Sequence, residues 1–254
     1  MQIRVIPFGT LRVDSHTMFS GLSGARLRSY YTPDGNGMLK IAMNALLVEA
    51  SDRLVLIDPG CADFFPAKLA NEYGLELRGP LDHVLDETGY CNEDITDVVF
   101  THLHFDHGSG AFRRVRGTIE KRYPKAAYHV QKAHYDYALS PDPREEDSLF
   151  VKLLKYAGPL SWLEDWNADW MSFHRFDGHT HAMQLPVIHT PGADTYFLTD
   201  LVPMRPFFEA DVTSLYDLDA GQVIEEKGSF LKTIKKGSVC ILFHEPHEYR
   251  VFYP

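Results

Sequence analysis

The chain of 254 residues is long enough for one large domain with a substantial core, and 44% hydrophobic with 24% charged residues is ordinary for a globular protein. The formal net charge of −10 disfavours a nucleic-acid partner, since phosphate binding needs clustered lysine and arginine. No apolar run approaches the ~20 residues of a membrane span, and the N-terminus does not resemble a signal peptide. Three widely spaced cysteines exclude a disulfide framework and a Cys-x-x-Cys zinc site. We therefore expect a cytoplasmic protein.

Apolar runs and turn residues predict alternating strands and helices. The predicted strands are residues 3–8 (continuing towards 13), 41–49, 54–57, 98–100, 126–130, 171–176, 184–189, 195–199 and 239–243. The predicted helices are residues 62–73, 81–87, 131–139 and 220–236. The basic stretch at 113–125 is interpreted as a solvated face. This pattern alone indicates only a mixed α and β domain.

Two long stretches, residues 14–38 and 140–170, fall outside this pattern. The first is rich in serine and glycine with interspersed aromatic residues, and the second holds all three tryptophans, Trp162, Trp166 and Trp170. We interpret the second as a helical lid whose tryptophans pack in the core. An apolar wall for a substrate is the alternative.

Four metal-ligand residues are concentrated after the apolar run at 98–100. His102, His104, Asp106 and His107 fall within six positions, in the loop that leaves this predicted strand. Imidazole and carboxylate suit zinc, iron or manganese, and two ligand sets side by side suit a pair of ions. Because side chains alternate in an extended segment, His102 and His104 can reach the same ion. Solvated histidines in a polar loop are the alternative, which the clustering disfavours.

This His-x-His-x-Asp-His sequence after a strand resembles the signature of the metallo-β-lactamase superfamily. Four more segments resemble the family's other motifs, in the family's order: Leu56-Ile57-Asp58-Pro59-Gly60, Gly178-His179-Thr180, Leu198-Thr199-Asp200-Leu201-Val202-Pro203 and Phe243-His244-Glu245-Pro246. The resemblance implies an α+β fold, a four-layer αββα sandwich in which two mixed sheets pack face to face. We expect a single metallo-β-lactamase-like domain over residues 1–254, with insertions near 14–38 and 140–170.

The resemblance also implies roles for individual residues. The implied ligands of two divalent ions, with zinc favoured over iron or manganese, are His102, His104, Asp106, His107, His179, Asp200 and His244. His102, His104 and His179 resemble the ligands of the first ion. Asp200 resembles the carboxylate that bridges both ions, and the family's chemistry is attack by a hydroxide held between them. Asp58 resembles a residue that orients a ligand or loop through hydrogen bonds.

Several positions depart from the family's common pattern. His104 stands where flavodiiron oxidoreductases have glutamate, which disfavours redox chemistry, and Asp200 disfavours a true β-lactamase. Thr199 replaces a glycine often found before the bridging aspartate, which would shift that loop slightly. His181, two residues after His179, is an alternative ligand, but the Gly-His-Thr context favours His179.

Length and the Pro7-Phe8-Gly9-Thr10 opening look most like the N-acyl homoserine lactonases. Those enzymes often carry a tyrosine three residues after the bridging aspartate, where this chain has Pro203. Tyr216 is the candidate replacement, so Asp106, Asp200 and Tyr216 are the expected catalytic residues. A half-buried packing role is the alternative for Tyr216.

The sequence thus predicts a dinuclear metal-dependent hydrolase acting on a lactone or related ester with an apolar group. The alternatives are a phosphoesterase or a glyoxalase II-like thioesterase on the same scaffold, and a non-catalytic metal-binding homologue, which the complete ligand set disfavours. The expected partner is a small-molecule substrate, with neither nucleic acid nor a membrane, and a homodimer is left open.

Overall fold

The computed structural model describes all residues from 1 to 254. Its strands are β1 (Gln2–Asp14), β2 (Met38–Ala50), β3 (Arg53–Ile57), β4 (Glu76–Leu77), β5 (Asp97–Val99), β6 (Phe112–Val115), β7 (Thr118–Lys121), β8 (Ala127–Val130), β9 (Leu160–Trp162), β10 (Met171–Phe176), β11 (Met183–Ile188), β12 (Thr195–Phe197), β13 (Val239–Ile241) and β14 (Arg250–Phe252). Its α-helices are α1 (Ser15–Met18), α2 (Gly24–Leu27), α3 (Ala67–Glu72), α4 (Phe105–Gly108), α5 (Lys132–Ala138) and α6 (Ala220–Leu231). Short 3-10 helices lie at Leu81–His83, Asp86–Thr88, Ser109–Ala111, Val151–Tyr156, Leu163–Asp165 and Arg205–Phe208. None of the helices has the length and apolar character needed to cross a membrane.

The residues form two compact units. Unit 1 comprises residues 1–9 and 43–168, and unit 2 comprises residues 10–42 and 169–254. The single-domain expectation stays a prediction.

A seven-stranded sheet has the order β4-β1-β2-β3-β5-β8-β9. Its strands β3, β5, β8 and β9 run parallel, and Ile57 of β3 pairs with Val99 of β5. Residues 54–57 of β3 and all of β5 are buried, as expected for parallel strands. Because the carboxyl ends of parallel neighbours lie at the same edge of a sheet, Asp58 and the loop that starts at Phe100 leave the sheet side by side.

A five-stranded sheet in unit 2 has the order β10-β11-β12-β13-β14. It is antiparallel except for the pair β12 and β13, in which Thr195 pairs with Val239. The parallel pair again brings two strand ends to one edge, so the segments that carry Asp200 and His244 start from neighbouring positions. Helix α6 packs on this sheet through Phe230, whose ring lies 5.1 Å from that of Phe176.

Most of the predicted strands are confirmed within a few residues, whereas the helices are shorter than expected. The expected helix at 62–73 begins only at Ala67, directly after Pro66, and the one at 220–236 ends at Leu231. The expected helix at 81–87 is replaced by two 3-10 turns, the second closed by Gly89 in the left-handed conformation at φ +83°. The basic stretch contains a β-hairpin, β6 and β7, that the sequence reading missed.

The expectation of a helical lid over residues 140–170 is wrong. This stretch holds 3-10 turns and the short strand β9, which pairs with β8 at the edge of the large sheet. Four residues that disfavour a helix explain why this stretch forms no α-helix: Pro141, Pro143, Gly158 and Pro159. The three tryptophans are only partly buried. Trp162 packs against Tyr135 at 5.6 Å, and Trp166 meets His129 edge-on at 5.3 Å.

Candidate metal centre

Three of the predicted ligands lie together at the end of β5 in unit 1. The ring of His102 lies 4.6 Å from that of His104 and 4.1 Å from that of His107. All three side chains are buried, as polar groups rarely are without a binding role or hydrogen bonds. Asp106 lies on the single turn of α4, directly before His107. The structure therefore brings the His-x-His-x-Asp-His residues together in one loop, with the three histidines buried and Asp106 half-buried.

Asp58 holds this loop as the sequence predicted. Its carboxylate accepts from the backbone N–H of Thr101 at 2.9 Å, from the Thr101 hydroxyl at 2.5 Å and from Nδ1 of His107 at 3.0 Å. Full burial raises the pKa of Asp58, against these three hydrogen bonds, which lower it. Asp58 itself has φ +50°, a left-handed conformation rare outside glycine. A carboxylate held in this way fixes both the start of the loop and one histidine ring.

The hydrogen bonds show which nitrogen each histidine of unit 1 can offer to a cation. Nδ1 of His107 donates to Asp58, and Nδ1 of His102 lies 3.0 Å from the hydroxyl of Thr101, so both rings can offer Nε2. In His104 the roles of the two ring nitrogens are exchanged. Its Nε2 donates to Oε1 of Glu145 at 2.8 Å, so Nδ1 is the nitrogen that could bind a cation. The sequence reading did not identify Glu145.

A buried histidine outside the motif also supports this loop. Nε2 of His134, on α5, accepts from the backbone N–H of Leu103 at 2.8 Å. Leu103 lies between two predicted ligands, so this bond fixes the backbone from which both project. His134 was not predicted, since its contact lies 31 residues away along the chain.

The remaining three predicted ligands lie together in unit 2. Oδ2 of Asp200 lies 3.2 Å from Nε2 of His179, and Oδ1 lies 3.5 Å from Nε2 of His244. Each carboxylate oxygen therefore faces a different histidine.

Both histidines of unit 2 are held through Nδ1. His179 donates to Oδ1 of Asp217 at 2.8 Å, and His244 donates to the carbonyl oxygen of Ala42 at 2.8 Å. Burial lowers the pKa of His179, but hydrogen bonds and charge from Asp200 and Asp217 outweigh it and raise the pKa to about 10. The protonated His179 ring is thus stabilised by two carboxylates, Asp217 at Nδ1 and Asp200 at Nε2.

The alternative ligand His181 is placed differently. It is partly exposed, and its Nδ1 pairs with Asp177 at 3.0 Å. His179, by contrast, is buried beside Asp200. The geometry therefore supports the sequence-based choice of His179.

Two backbone features position the unit 2 ligands. Thr199, the residue before Asp200, is fully buried and has φ +40°. Threonine thus adopts a left-handed conformation that glycine would adopt freely, and the backbone before Asp200 is strained. The expected slight shift of this loop stays a prediction. Gly178, before His179, lies against α6, and a Cβ there would lie 2.6 Å from the backbone nitrogen of Val223. Only glycine fits at this position.

The donor set fits divalent transition metals. It combines imidazole nitrogens with carboxylate oxygens, which zinc, iron and manganese accept, and contains no thiolate. The ligand rings are buried and fixed through their other nitrogen, as is usual in metal sites. Buried carboxylates such as Asp58 and Asp217 also need nearby positive charge, which a bound cation would supply.

Tyr216 lies next to Asp217 on the loop that supports His179. Its backbone N–H donates to the hydroxyl of Ser214 at 3.1 Å, and its side chain is 43% exposed. A tyrosine exposed to this degree is not a core residue, and its catalytic role stays a prediction.

Comparison with known proteins agrees with this description. The family model described as the metallo-beta-lactamase superfamily matches residues 42–243. A probable metal-dependent hydrolase from Staphylococcus aureus is similar in structure, with a TM-score of 0.89 at 18% identity over 99% of this chain and 92% of that chain. AidC, a dizinc quorum-quenching lactonase, gives a TM-score of 0.78 at 19% identity over 98% and 89%. The hydrolase AbOPH gives 0.78 at 22% identity over 99% and 89%.

No curated protein matches the sequence. The structural likeness, at these identities, shows the fold, and it confirms the predicted α+β class with the metallo-β-lactamase αββα fold. Because the family model covers most of the chain and its motif residues form buried ligand sets, the chain belongs to the metallo-β-lactamase superfamily.

Proposed function

We propose that this protein is a dinuclear metal-dependent hydrolase that acts on a lactone or a related ester with an apolar group. The observation that carries the proposal is the pair of contacts made by Asp200, whose two oxygens face His179 and His244 separately. A carboxylate divided between two histidines suits two ions better than one. The similar AidC structure is described as a dizinc lactonase, which supports the same conclusion.

In this proposal the two ions take the ligands that the family resemblance implies. His102, His104 and His179 would hold the first ion, Asp106, His107 and His244 would hold the second, and Asp200 would serve as a ligand of both. Two zinc ions would supply Lewis acidity and would lower the pKa of bound water to near neutrality. The protein's part is geometric, since Asp58 holds the His107 ring and Asp217 holds the His179 ring, each through Nδ1. Tyr216 is proposed to act as a hydroxyl donor to the substrate.

The apolar part of the substrate is proposed to contact an aromatic cluster formed by Phe65, Tyr73 and Phe105. Phe105 stands between His104 and Asp106, and its ring lies 4.8 Å from that of Phe65 and 5.3 Å from that of Tyr73. All three aromatic side chains are only partly buried. Partly exposed rings beside ligand residues can remove a substrate chain from water, at ~25 cal/mol per Å² of apolar surface. The aromatic cluster replaces the tryptophans as our candidate for the apolar wall.

Metal content and a substrate panel test the proposed activity. Protein purified without chelator is expected to carry close to two zinc ions per chain, with iron or manganese as substitutes. The panel comprises a lactone, a thioester, a phosphodiester and a β-lactam, and the lactone should give the highest kcat/KM. A preference for the thioester or the phosphodiester would replace the lactone by the corresponding substrate class. A protein that binds no metal tightly would remove the basis of the proposal.

A series of lactones with increasing acyl length tests the apolar wall. In the wild type, kcat/KM should rise with the length of the acyl chain. With the longest chain, kcat/KM of Phe65→Ala should be about 10- to 200-fold below that of the wild type. Phe65 is chosen because, unlike Phe105, it does not adjoin a ligand, so metal content should be unchanged. Trp162→Ala is the control, since Trp162 packs on Tyr135, and its chain-length dependence should equal that of the wild type. Equal losses in both variants would contradict the assignment.

A further inference from the structure

Glu145 is a buried carboxylate directly behind one of the proposed ligands. It is 4% exposed, and its Oε1 accepts from Nε2 of His104 at 2.8 Å. Its Oε2 accepts a hydrogen bond from the hydroxyl of Tyr137, on α5. A buried carboxylate is costly unless its oxygens are bonded, and here both oxygens have partners of fixed position.

The backbone that follows Glu145 forms hydrogen bonds with the ligand loop on both sides of His104. The N–H of Phe105 donates to the carbonyl oxygen of Ser148 at 2.8 Å, and the N–H of Phe150 donates to that of Leu103 at 3.0 Å. His104 and Leu149 form an antiparallel bridge between these bonds. The segment 145–150 is therefore joined to the ligand loop on both sides of His104, which places the Glu145 carboxylate beside the imidazole.

This contact distinguishes His104 from the other four proposed histidine ligands. His107, His179 and His244 use Nδ1 as donor, and Nδ1 of His102 faces Thr101, so these rings present Nε2. Since an ionised carboxylate only accepts, the contact with Glu145 places the hydrogen of His104 on Nε2. The opposite nitrogen is then the one that can bind an ion.

We infer that Glu145, held by Tyr137, is a positioning residue that selects Nδ1 of His104 as a ligand atom and strengthens binding of the first metal ion. A carboxylate behind a ligating imidazole fixes the ring orientation and makes the ring more basic, and losing such a partner typically costs about 10- to 100-fold in metal affinity. The inference rests on the proposed metal centre but not on the substrate. It gives part of the 140–170 stretch a role in binding metal rather than in covering a substrate.

Zinc affinity provides the first test. Glu145→Ala should weaken binding of the first zinc ion by about 10- to 100-fold in competition with a chromophoric chelator. Glu145→Gln should restore much of the loss, because its amide oxygen still accepts from Nε2. Glu146→Ala is the matched control, since Glu146 is the exposed neighbouring carboxylate and its removal should leave the affinity unchanged. Zinc affinity is independent of which substrate the enzyme hydrolyses, so a failed substrate panel would leave this test intact.

The tautomer of His104 provides the second test, and it needs no destabilising variant. Long-range proton–nitrogen NMR of ¹⁵N-histidine-labelled, zinc-loaded wild type should show the hydrogen of His104 on Nε2, while the other ligand histidines carry it on Nδ1. The assignment of the His104 signal comes from its shift in Glu145→Gln. A hydrogen on Nδ1 of His104, or wild-type zinc affinity in Glu145→Ala, would overturn the inference.

Discussion

Oδ1 of Asp217 lies 2.8 Å from Nδ1 of His179, although the two residues are 38 positions apart. The other oxygen of Asp217 accepts from the N–H of Ser214 at 2.8 Å, so the carboxylate cannot rotate freely. Asp217→Ala should therefore release the His179 ring and lower zinc affinity by about 10- to 100-fold, while Asp217→Asn keeps an acceptor and should lose less. Competition with a chelator measures both. Asp211→Ala, at an exposed position on the same stretch, should bind zinc normally.

Asp200 and His244 should differ in their effect on metal content. Because Asp200 faces both His179 and His244, Asp200→Ala should deplete both ions, whereas His244→Ala should mainly deplete the second. Elemental analysis after dialysis against buffer with limited zinc distinguishes the two outcomes. An Asp200→Ala protein that keeps two ions and near-normal turnover would refute the bridging role.

Thr199 offers a test of backbone strain. At φ +40°, the Cβ of alanine lies too close to the following carbonyl oxygen, which costs about 1–2 kcal/mol. Glycine has no Cβ and avoids this cost. The Thr199→Gly variant should therefore be more stable than Thr199→Ala by about 1–2 kcal/mol, the reverse of the order at ordinary positions. Urea denaturation of the zinc-loaded variants measures this difference. Equal stability of the two variants would mean that the loop relaxes to another conformation.

Lys227 should make stability depend on pH in the alkaline range. Burial lowers its pKa to about 8 from the ordinary 10.5, although Asp217, Asp211 and Glu209 act in the opposite direction, and its amine donates to the carbonyl oxygen of Val212. Between these two pKa values the unfolded chain binds more protons than the folded one. The contribution of this lysine to the free energy of unfolding therefore rises with pH across that window, by at most about 1.4 kcal/mol per unit.

Lys227→Met should remove this contribution, and Lys236→Met, at an exposed position, should retain it. Denaturant midpoints between pH 7.5 and pH 10 compare the slopes of the two variants with that of the wild type. The prediction fails if the slope of Lys227→Met equals that of the wild type.

The ligand-bearing loops could be predicted from sequence because the residues that mark them are close together along the chain. His102, His104, Asp106 and His107 follow a recognisable apolar strand, and each of the other ligands also leaves or adjoins a strand. Asp58 could be predicted for the same reason, since it ends β3 at the edge where β5 ends. Strand ends of this kind are marked by the change from apolar to polar residues.

The partners behind the ligands could not be predicted in this way. Glu145 and Asp217 are two of 35 acidic residues, and they meet their histidines across 41 and 38 positions. Nothing in their immediate sequence distinguishes them from solvated carboxylates. The expected helical lid is wrong because residues 140–170 contain three prolines and Gly158, which interrupt a helix. Tertiary pairing of β9 with β8 then decided the conformation.

The division of the chain into two units has a consequence for synthesis on the ribosome. Every residue of unit 1 has been added once residue 168 is in place, including His102, His104 and His107, whereas residues 169–254 of unit 2 are still to be synthesised. At about 5–20 residues per second, the stretch up to His244 takes on the order of ten seconds more. The proposed ligands of unit 1 are therefore synthesised several seconds before His179, Asp200 and His244.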